Sequence, residues 1–389
     1  MPDQLIMNPD EVKKYVYDRK FFRDERESIQ EKELKNIVIH NGYTTEEVLE
    51  FFNKTGTKNI TYWPRKSMET HFWVPSTGAI HVVNCRGITR LKRDEDLAEA
   101  LEDILQREIP LAIHNYQGDK ALAGKRFKDW GFERASDAFS KLNHKTIERQ
   151  NGLYVVMGPH RSLELNEEEV AHLSQHEYLN YQILNIMGKT AIHFDYIFSD
   201  QAFNIMDQLF LQMDAHYPGL PLHLFHYGKV GLLELKPKEG NPPKLQIGDV
   251  CIPTGAMDEE KIREGNFFEY ALPNELVENT DTYLKFQQFL GKQMKFGITA
   301  NSVSVLKQTK KGLQKLADRK CSFIEMEWLL LSGLDVVKSA YPSLGKTHYY
   351  LVGIGSDKPL EGVTLADTKY DHDTEHKVAY SLTRLISEL

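Results

Sequence analysis

Cysteine is scarce in this chain. Three residues of 389, Cys85, Cys251 and Cys321, are too few and too scattered for a disulfide framework, and no Cys-x-x-Cys occurs. A reducing compartment is the expectation, and the cytoplasm fits it best. Long apolar runs are missing as well. No window approaches the ~20 apolar residues that a membrane span needs. The opening stretch MPDQLIMNPDEVKKYVYDRK has no apolar run of the kind a secretory signal carries. The expected protein is soluble and has no membrane partner. An excess of positive charge is absent too: 48 Lys and Arg stand against 56 Asp and Glu, a net charge of −8. That argues against a nucleic-acid partner. There is no internal repeat and no low-complexity linker. With 41% hydrophobic and 27% charged residues the chain is near the globular averages, which excludes a largely disordered protein. At ~150 residues per domain the length implies two or three domains, or one large one with insertions.

Several chemical signatures are also lacking. The Gly-Lys-Thr triplets at 188–190 and 345–347 have Ile183 and Ala340 where a phosphate-wrapping loop needs its first glycine, so neither is a P-loop. No Gly-x-Gly-x-x-Gly or Gly-x-Ser-x-Gly is present. Cys251 and Cys321 lie in apolar surroundings typical of inert core thiols. His172 and His176, four apart on an expected helix, put two imidazoles on one face. The intervening Leu-Ser-Gln lacks the glutamate of a zinc protease, so a solvated face and no metal are expected. The acidic-histidine stretch 367–376 and the lysine-rich stretch 307–320 also read as solvated.

What is present is a rhythm of strands and helices. Residues 10–34 read as a charged arm with Tyr15, Tyr17, Phe21 and Phe22 on one face. Ile37–Ile39 is a short strand, and Thr44 with Glu47 forms a capping box opening a helix that ends near Gly56. Strands are expected at 80–85, 110–116 and 152–158, with an amphipathic helix at 95–105. Further strands are expected at 189–196, 221–233 (running into a glycine turn), 249–255 and 348–357. Helices are expected after Ser199, at 303–317 and at 374–388, with a strand–helix junction at 321–334. Alternation of this kind implies an α/β class with a mostly parallel sheet.

Two strand ends carry carboxylates: Ile324-Glu325-Met326-Glu327, and Gly355-Ser356-Asp357-Lys358-Pro359. Ligand sites in open α/β sheets form outside the carboxyl ends of strands, where a buried carboxylate is costly unless paired or used. Two readings stay open. The carboxylates cap the following helix and turn, or they work on a ligand.

In order along the chain, four segments resemble the purine nucleoside phosphorylase and nucleosidase superfamily. They are 227–256 (clearest at Ile247-Gly248-Asp249-Val250), 296–305, 323–331 with its Met-Glu pair, and 353–362 with its Ser-Asp pair. The last, Ser356-Asp357-Lys358-Pro359-Leu360-x-Gly362, looks most like AMP nucleosidase. The likeness covers about residues 180–389. It implies a three-layer fold, a mostly parallel mixed sheet flanked by helices. Residues 146–389 would form that domain, and residues 1–145 an additional α/β region. It further implies cleavage of the N-glycosidic bond of a purine nucleotide or nucleoside. Asp357 would be the acid at the leaving base, Glu327 the ribose anchor, and Met326 a sugar contact. Glu325 would lie near base or sugar, with Gly231 and Lys229 in the glycine turn; Arg161 is a further phosphate candidate. No cofactor or metal is implied, and inorganic phosphate is left open as co-substrate or effector. A homo-oligomer is implied. Two departures, Tyr227-Gly228-Lys229-Val230-Gly231 in the turn and Trp328 after Glu327, motivate a competing reading. That reading is a non-catalytic nucleotide-binding or scaffolding protein on the same fold. The tryptophan would narrow the pocket or redirect a subunit contact.

Overall fold

The computed structural model describes residues 7–8, 10–12, 34–64, 70–159, 163, 169–195, 199–234, 244–264, 266, 268–292, 294–302, 308–328, 331, 333–363 and 372–389. The charged arm at 13–33, Arg161 and residues 303–307 lie outside them.

The first five strands are β1 (Asn36–Asn41), β2 (Thr61–Pro64), β3 (Thr70–Val74), β4 (Ala79–Asn84) and β5 (Leu111–Asn115). They form one sheet in the order β2-β3-β4-β1-β5, with β4, β1 and β5 mutually parallel and β2 and β3 antiparallel. Ile37 and Ile39 face a core shared with Leu91, Leu97 and Leu101 of the helix Ile88–Leu105. The opposite face meets Val48 and Phe52 of the helix Thr45–Thr55. The capping box is formed: Thr44 Oγ1 accepts from Glu47 N and Glu47 Oε2 accepts from Thr44 N, while Gly56 closes the helix in the left-handed region at φ 68°. Helix Ile88–Leu105 begins a full two turns before the expected 95. Its early turns carry Arg90, Arg93, Asp94 and Asp96, polar residues that hide a buried face.

The remaining ten strands are β6 (Leu153–Met157), β7 (Val170–Ser174), β8 (Tyr181–Ile186), β9 (Lys189–Phe194), β10 (Leu222–Leu232), β11 (Val250–Asp258), β12 (Glu269–Ala271), β13 (Met294–Asn301), β14 (Cys321–Glu325) and β15 (Thr347–Asp357). They form a second, mixed sheet in the order β12-β11-β13-β14-β10-β6-β9-β8-β7, with β15 paired to both β10 and β11. Those last pairings close a ring β10-β15-β11-β13-β14. The helix Ser199–His216 packs its Ile205, Met206, Leu209 and Met213 on one core of this sheet. The helix His372–Glu388 seals the other with Val378, Leu382 and Leu385. The fold is therefore mixed α/β.

Three expectations are corrected. His172 sits in strand β7 and His176 just beyond it, so no helix brings the two imidazoles together. The alternating exposure of Val170–Ser174 shows the period of two that defines a strand. The glycines at 228 and 231 make no turn; β10 runs through both to Leu232. Finally, Thr374 and Glu375 of the acidic-histidine stretch are buried, because they lie on the inner face of the last helix. The helix expected at 303–317 is described over Lys310–Asp318, with Leu313 and Leu316 inward and its lysines outward. Among the described residues no helix is long and apolar enough to cross a membrane, and no group of three or more His, Cys, Asp or Glu is placed to hold a metal ion.

Candidate functional site

The ring of strands brings four carboxyl ends to one rim. Gly231 of β10 is opposite both Ile324 of β14 and Asp357 of β15, and Asn301 of β13 is opposite Glu325 of β14. A β-bulge sets the direction of Asp357. Val230 pairs with Gly355 and Gly231 with Asp357, so Ser356 is the extra residue. Bulges of this kind re-aim the next side chain. Ser356 is buried; its hydroxyl lies 3.2 Å from Val230 O and 2.6 Å from Asp357 Oδ1, which pins the carboxyl group. Gly231 leaves the room in front of it. A Cβ there would lie 2.8 Å from Ile324 Cγ2 and 3.4 Å from Asp357 Oδ2.

Glu325 ends β14 fully inside. Its Oε2 accepts from the backbone N–H groups of Glu327 (2.5 Å) and Trp328 (2.6 Å), and its Oε1 lies 3.5 Å from the Asn301 amide nitrogen. That is the capping role, and it shapes the turn carrying Met326 and Glu327. Burial raises the Glu325 carboxyl above its ordinary range, the Glu327 charge adds to the rise, and the two N–H groups oppose it. Glu327 is partly open to solvent, and its Oε2 accepts from Met326 N at 3.3 Å. Its Oε1 lies 3.8 Å from Arg93 Nη2. Burial raises Glu327 too, and Arg93 pulls it back.

Arg93 comes from the first sheet's helix Ile88–Leu105. Asp200 of the helix Ser199–His216 docks that helix by accepting from Ile88 N at 2.8 Å. Gly87, at φ 118°, is required there, since a Cβ would fall 1.8 Å from Asp200 Oδ2. Arg90 pairs with Asp94 at 3.1 Å on the same helix, both deeply buried.

The structure thus gathers Asp357, Gly231, Glu325, Met326 and Glu327 around one rim. Lys229 is exposed on β10, two residues short of Gly231. Trp328 is not a surface residue. It is 1% exposed in the main core, its ring against Gly353 and its Nε1 donating to His226 Nδ1 at 2.9 Å. Burial holds His226 neutral, down to about 4, so Nδ1 is an acceptor. The thiols of Cys85 and Cys321 are pushed up to about 11 and about 12 by burial, as inert core cysteines are.

Arg93 is the residue that sequence reasoning missed. Its signal was present: Arg93, Leu97 and Leu101 form one i, i+4, i+8 row on a buried helix face. A cation on such a row needs an anionic partner.

Part of this chain is similar to known structures. A 5′-methylthioadenosine/S-adenosylhomocysteine nucleosidase from Campylobacter jejuni is 14% identical, covering 61% of this chain and 100% of its own, with a TM-score of 0.43. A futalosine hydrolase of Helicobacter pylori is 12% identical, with 62% and 100% covered and a TM-score of 0.44. A purine nucleoside phosphorylase from Toxoplasma gondii is 14% identical, with 64% and 94% covered and a TM-score of 0.44. No family model matches the chain and no curated protein matches it.

Proposed function

We propose that this protein is an enzyme that cleaves the N-glycosidic bond of a purine nucleotide or nucleoside, most closely in the manner of an AMP nucleosidase. The observation that carries the reading is the rim itself. A carboxyl group aimed by a bulge, Asp357, faces the space that Gly231 leaves open, and a second carboxylate, Glu327, lies on the neighbouring turn beside a guanidinium.

The chemistry suits these groups. As the bond between C1′ and the base nitrogen stretches, the sugar gains oxocarbenium character and the purine gains negative charge. Asp357 delivers a proton to the imidazole nitrogen of the base, so the base leaves neutral. Water adds to C1′, and the proton it gives up replaces the one that Asp357 delivered, so the carboxyl group is restored. Glu327 accepts hydrogen bonds from ribose hydroxyls, and Met326 packs on the sugar. Glu325 acts through the turn, holding Glu327 and Trp328 by their N–H groups. Lys229 and Gly231 would flank a phosphate only in the phosphorolytic variant, where inorganic phosphate replaces water. The reaction so written needs no cofactor or metal.

This reading divides the chain near residue 145, with a three-layer catalytic part after it, and includes a homo-oligomer in the cytoplasm. The competing view, a non-catalytic nucleotide-binding or scaffolding protein on the same fold, drew on the altered 227–231 segment and on Trp328, which lies buried in the core; base release separates the two views. The test is chromatographic detection of free base from AMP, IMP, GMP, adenosine, inosine and methylthioadenosine, with and without phosphate. Base release that Asp357→Asn abolishes supports the proposal. No release from any of them overturns it.

A further inference from the structure

A second cleft lies on the first sheet and shares no residue with the Asp357 rim. His40, Glu47, Val48, Phe51, Ile113 and His114 are among its walls, and it holds about 380 Å³. That volume is within the range of small-molecule sites. It opens at the carboxyl ends of the parallel neighbours β1 and β5, where open α/β sheets place ligands. The reason it exists is uneven cover. The helix Thr45–Thr55 packs Phe52 on His81 and Phe72, with ring centroids 4.9 and 5.4 Å apart, but leaves the edge strand β5 open, with Leu111 and His114 exposed.

We propose that this cleft binds an uncharged, planar nitrogen heteroaromatic molecule laid against its rings. Four rings line it, edge to face or tilted to one another, with interplanar angles of 85°, 89°, 58° and 71° for the pairs given next. The centroid of His40 lies 5.3 Å from His114, 5.9 Å from Tyr43 and 6.1 Å from Phe51, and Phe51 lies 6.5 Å from His114. Phe51 is 43% exposed, a large apolar face that an occupant would cover.

Charge selects the ligand class. Among the described residues the one carboxylate in the lining, Glu47, already accepts from Arg126 Nη2 and from Thr44 N, each at 2.8 Å. His40 Nε2 is bonded to His81 Nδ1 at 2.8 Å, and burial keeps both rings neutral. A charged ligand would lose water here without a counter-ion. A neutral heterocycle gains stacking, and its ring nitrogen meets the Asn115 amide, whose oxygen is already held by Asn41 Nδ2 at 2.8 Å. The walls are set in advance. Arg126 ties Glu47 to the helix Lys120–Ser140 and lies 4.0 Å over the Tyr116 ring, which itself packs on Tyr43. Such a preformed site costs little to order.

The experiment is a ligand-observed NMR titration of the full chain with benzimidazole, with cyclohexanol as a non-planar neutral control. Wild type, Phe51→Ala, His114→Ala and Asp357→Asn are compared. Benzimidazole is expected to bind wild type and Asp357→Asn alike, and roughly tenfold more weakly to either cleft variant, the loss of one stacking partner. In wild type, contacts from benzimidazole to the Phe51 ring and the Val48 and Ile113 methyls are expected, a readout that needs no variant. Absence of binding, equal binding of cyclohexanol, loss of binding in Asp357→Asn, or unchanged binding in Phe51→Ala would each overturn the proposal.

Discussion

Replacing Arg93 with methionine keeps the length of the side chain and removes its charge. The guanidinium is 3.8 Å from the Glu327 carboxylate, with side-chain exposures of 10% and 19%. Coulomb's law at an effective dielectric of ~20 gives about 4 kcal/mol for such a pair. Desolvation of both groups takes back much of it, leaving about 1–2 kcal/mol. Burial already raises Glu327, and Arg93 opposes the rise. Without Arg93 the folded state holds a proton at a pH where the unfolded chain has released it. Stability therefore falls as pH climbs from the ordinary carboxylate range through the raised folded value. Urea unfolding of Arg93→Met should show a smaller deficit at pH 5 than at pH 8, where about 1–2 kcal/mol is expected. Arg93→Lys, which restores a positive charge without the planar fork, should recover part of it. In a double-mutant cycle with Glu327→Gln the coupling should be about 1–2 kcal/mol at pH 8 and smaller at pH 5. The acid limb of the kcat/KM profile for base release should move up. A deficit equal at both pH values, or additive single effects, would refute the reasoning.

Further expectations follow from other contacts. Gly231→Ala puts a methyl 2.8 Å from Ile324 Cγ2 and 3.4 Å from Asp357 Oδ2, so it should cost base release far more than thermal stability; equal losses would contradict that. Trp328→Phe strands the buried His226 Nδ1 and shrinks a core ring, an expected loss of about 2–4 kcal/mol in urea titration with turnover retained while folded. Thr44→Ala removes one arm of the capping box and should lower stability by about 1 kcal/mol. His223 is held down to about 3, and His226 to about 4, chiefly by burial. The unfolded chain takes up protons on such histidines first, so the melting temperature should drop as pH falls from about 6.5 towards 4; a flat profile would contradict it.

The sequence made some of this legible and hid the rest for physical reasons. Strands rich in β-branched residues, such as Ile37–Ile39, were visible because both faces are buried and the apolar run is unbroken. The Thr44–Glu47 box was visible because a cap is a local interaction. The strand around Gly228 and Gly231 was misread because glycine signals a turn, whereas here it admits Asp357 and Ile324 from neighbouring strands. His172 and His176 were misread because four-residue spacing is shared by helices and by chance positions on a strand and the loop after it. The carboxylates at 325, 327 and 357 were found as strand ends, but Arg93 was not. Its partner is far along the chain, and contacts such as the docking of Asp200 on Ile88 N bring the helix to the rim.

The central claim is tested most directly by incubating wild type and Asp357→Asn with AMP in phosphate-free buffer and quantifying free adenine. The account predicts adenine release by wild type, at least about 100-fold slower in Asp357→Asn at unchanged melting temperature. Equal release by the two proteins would contradict the account.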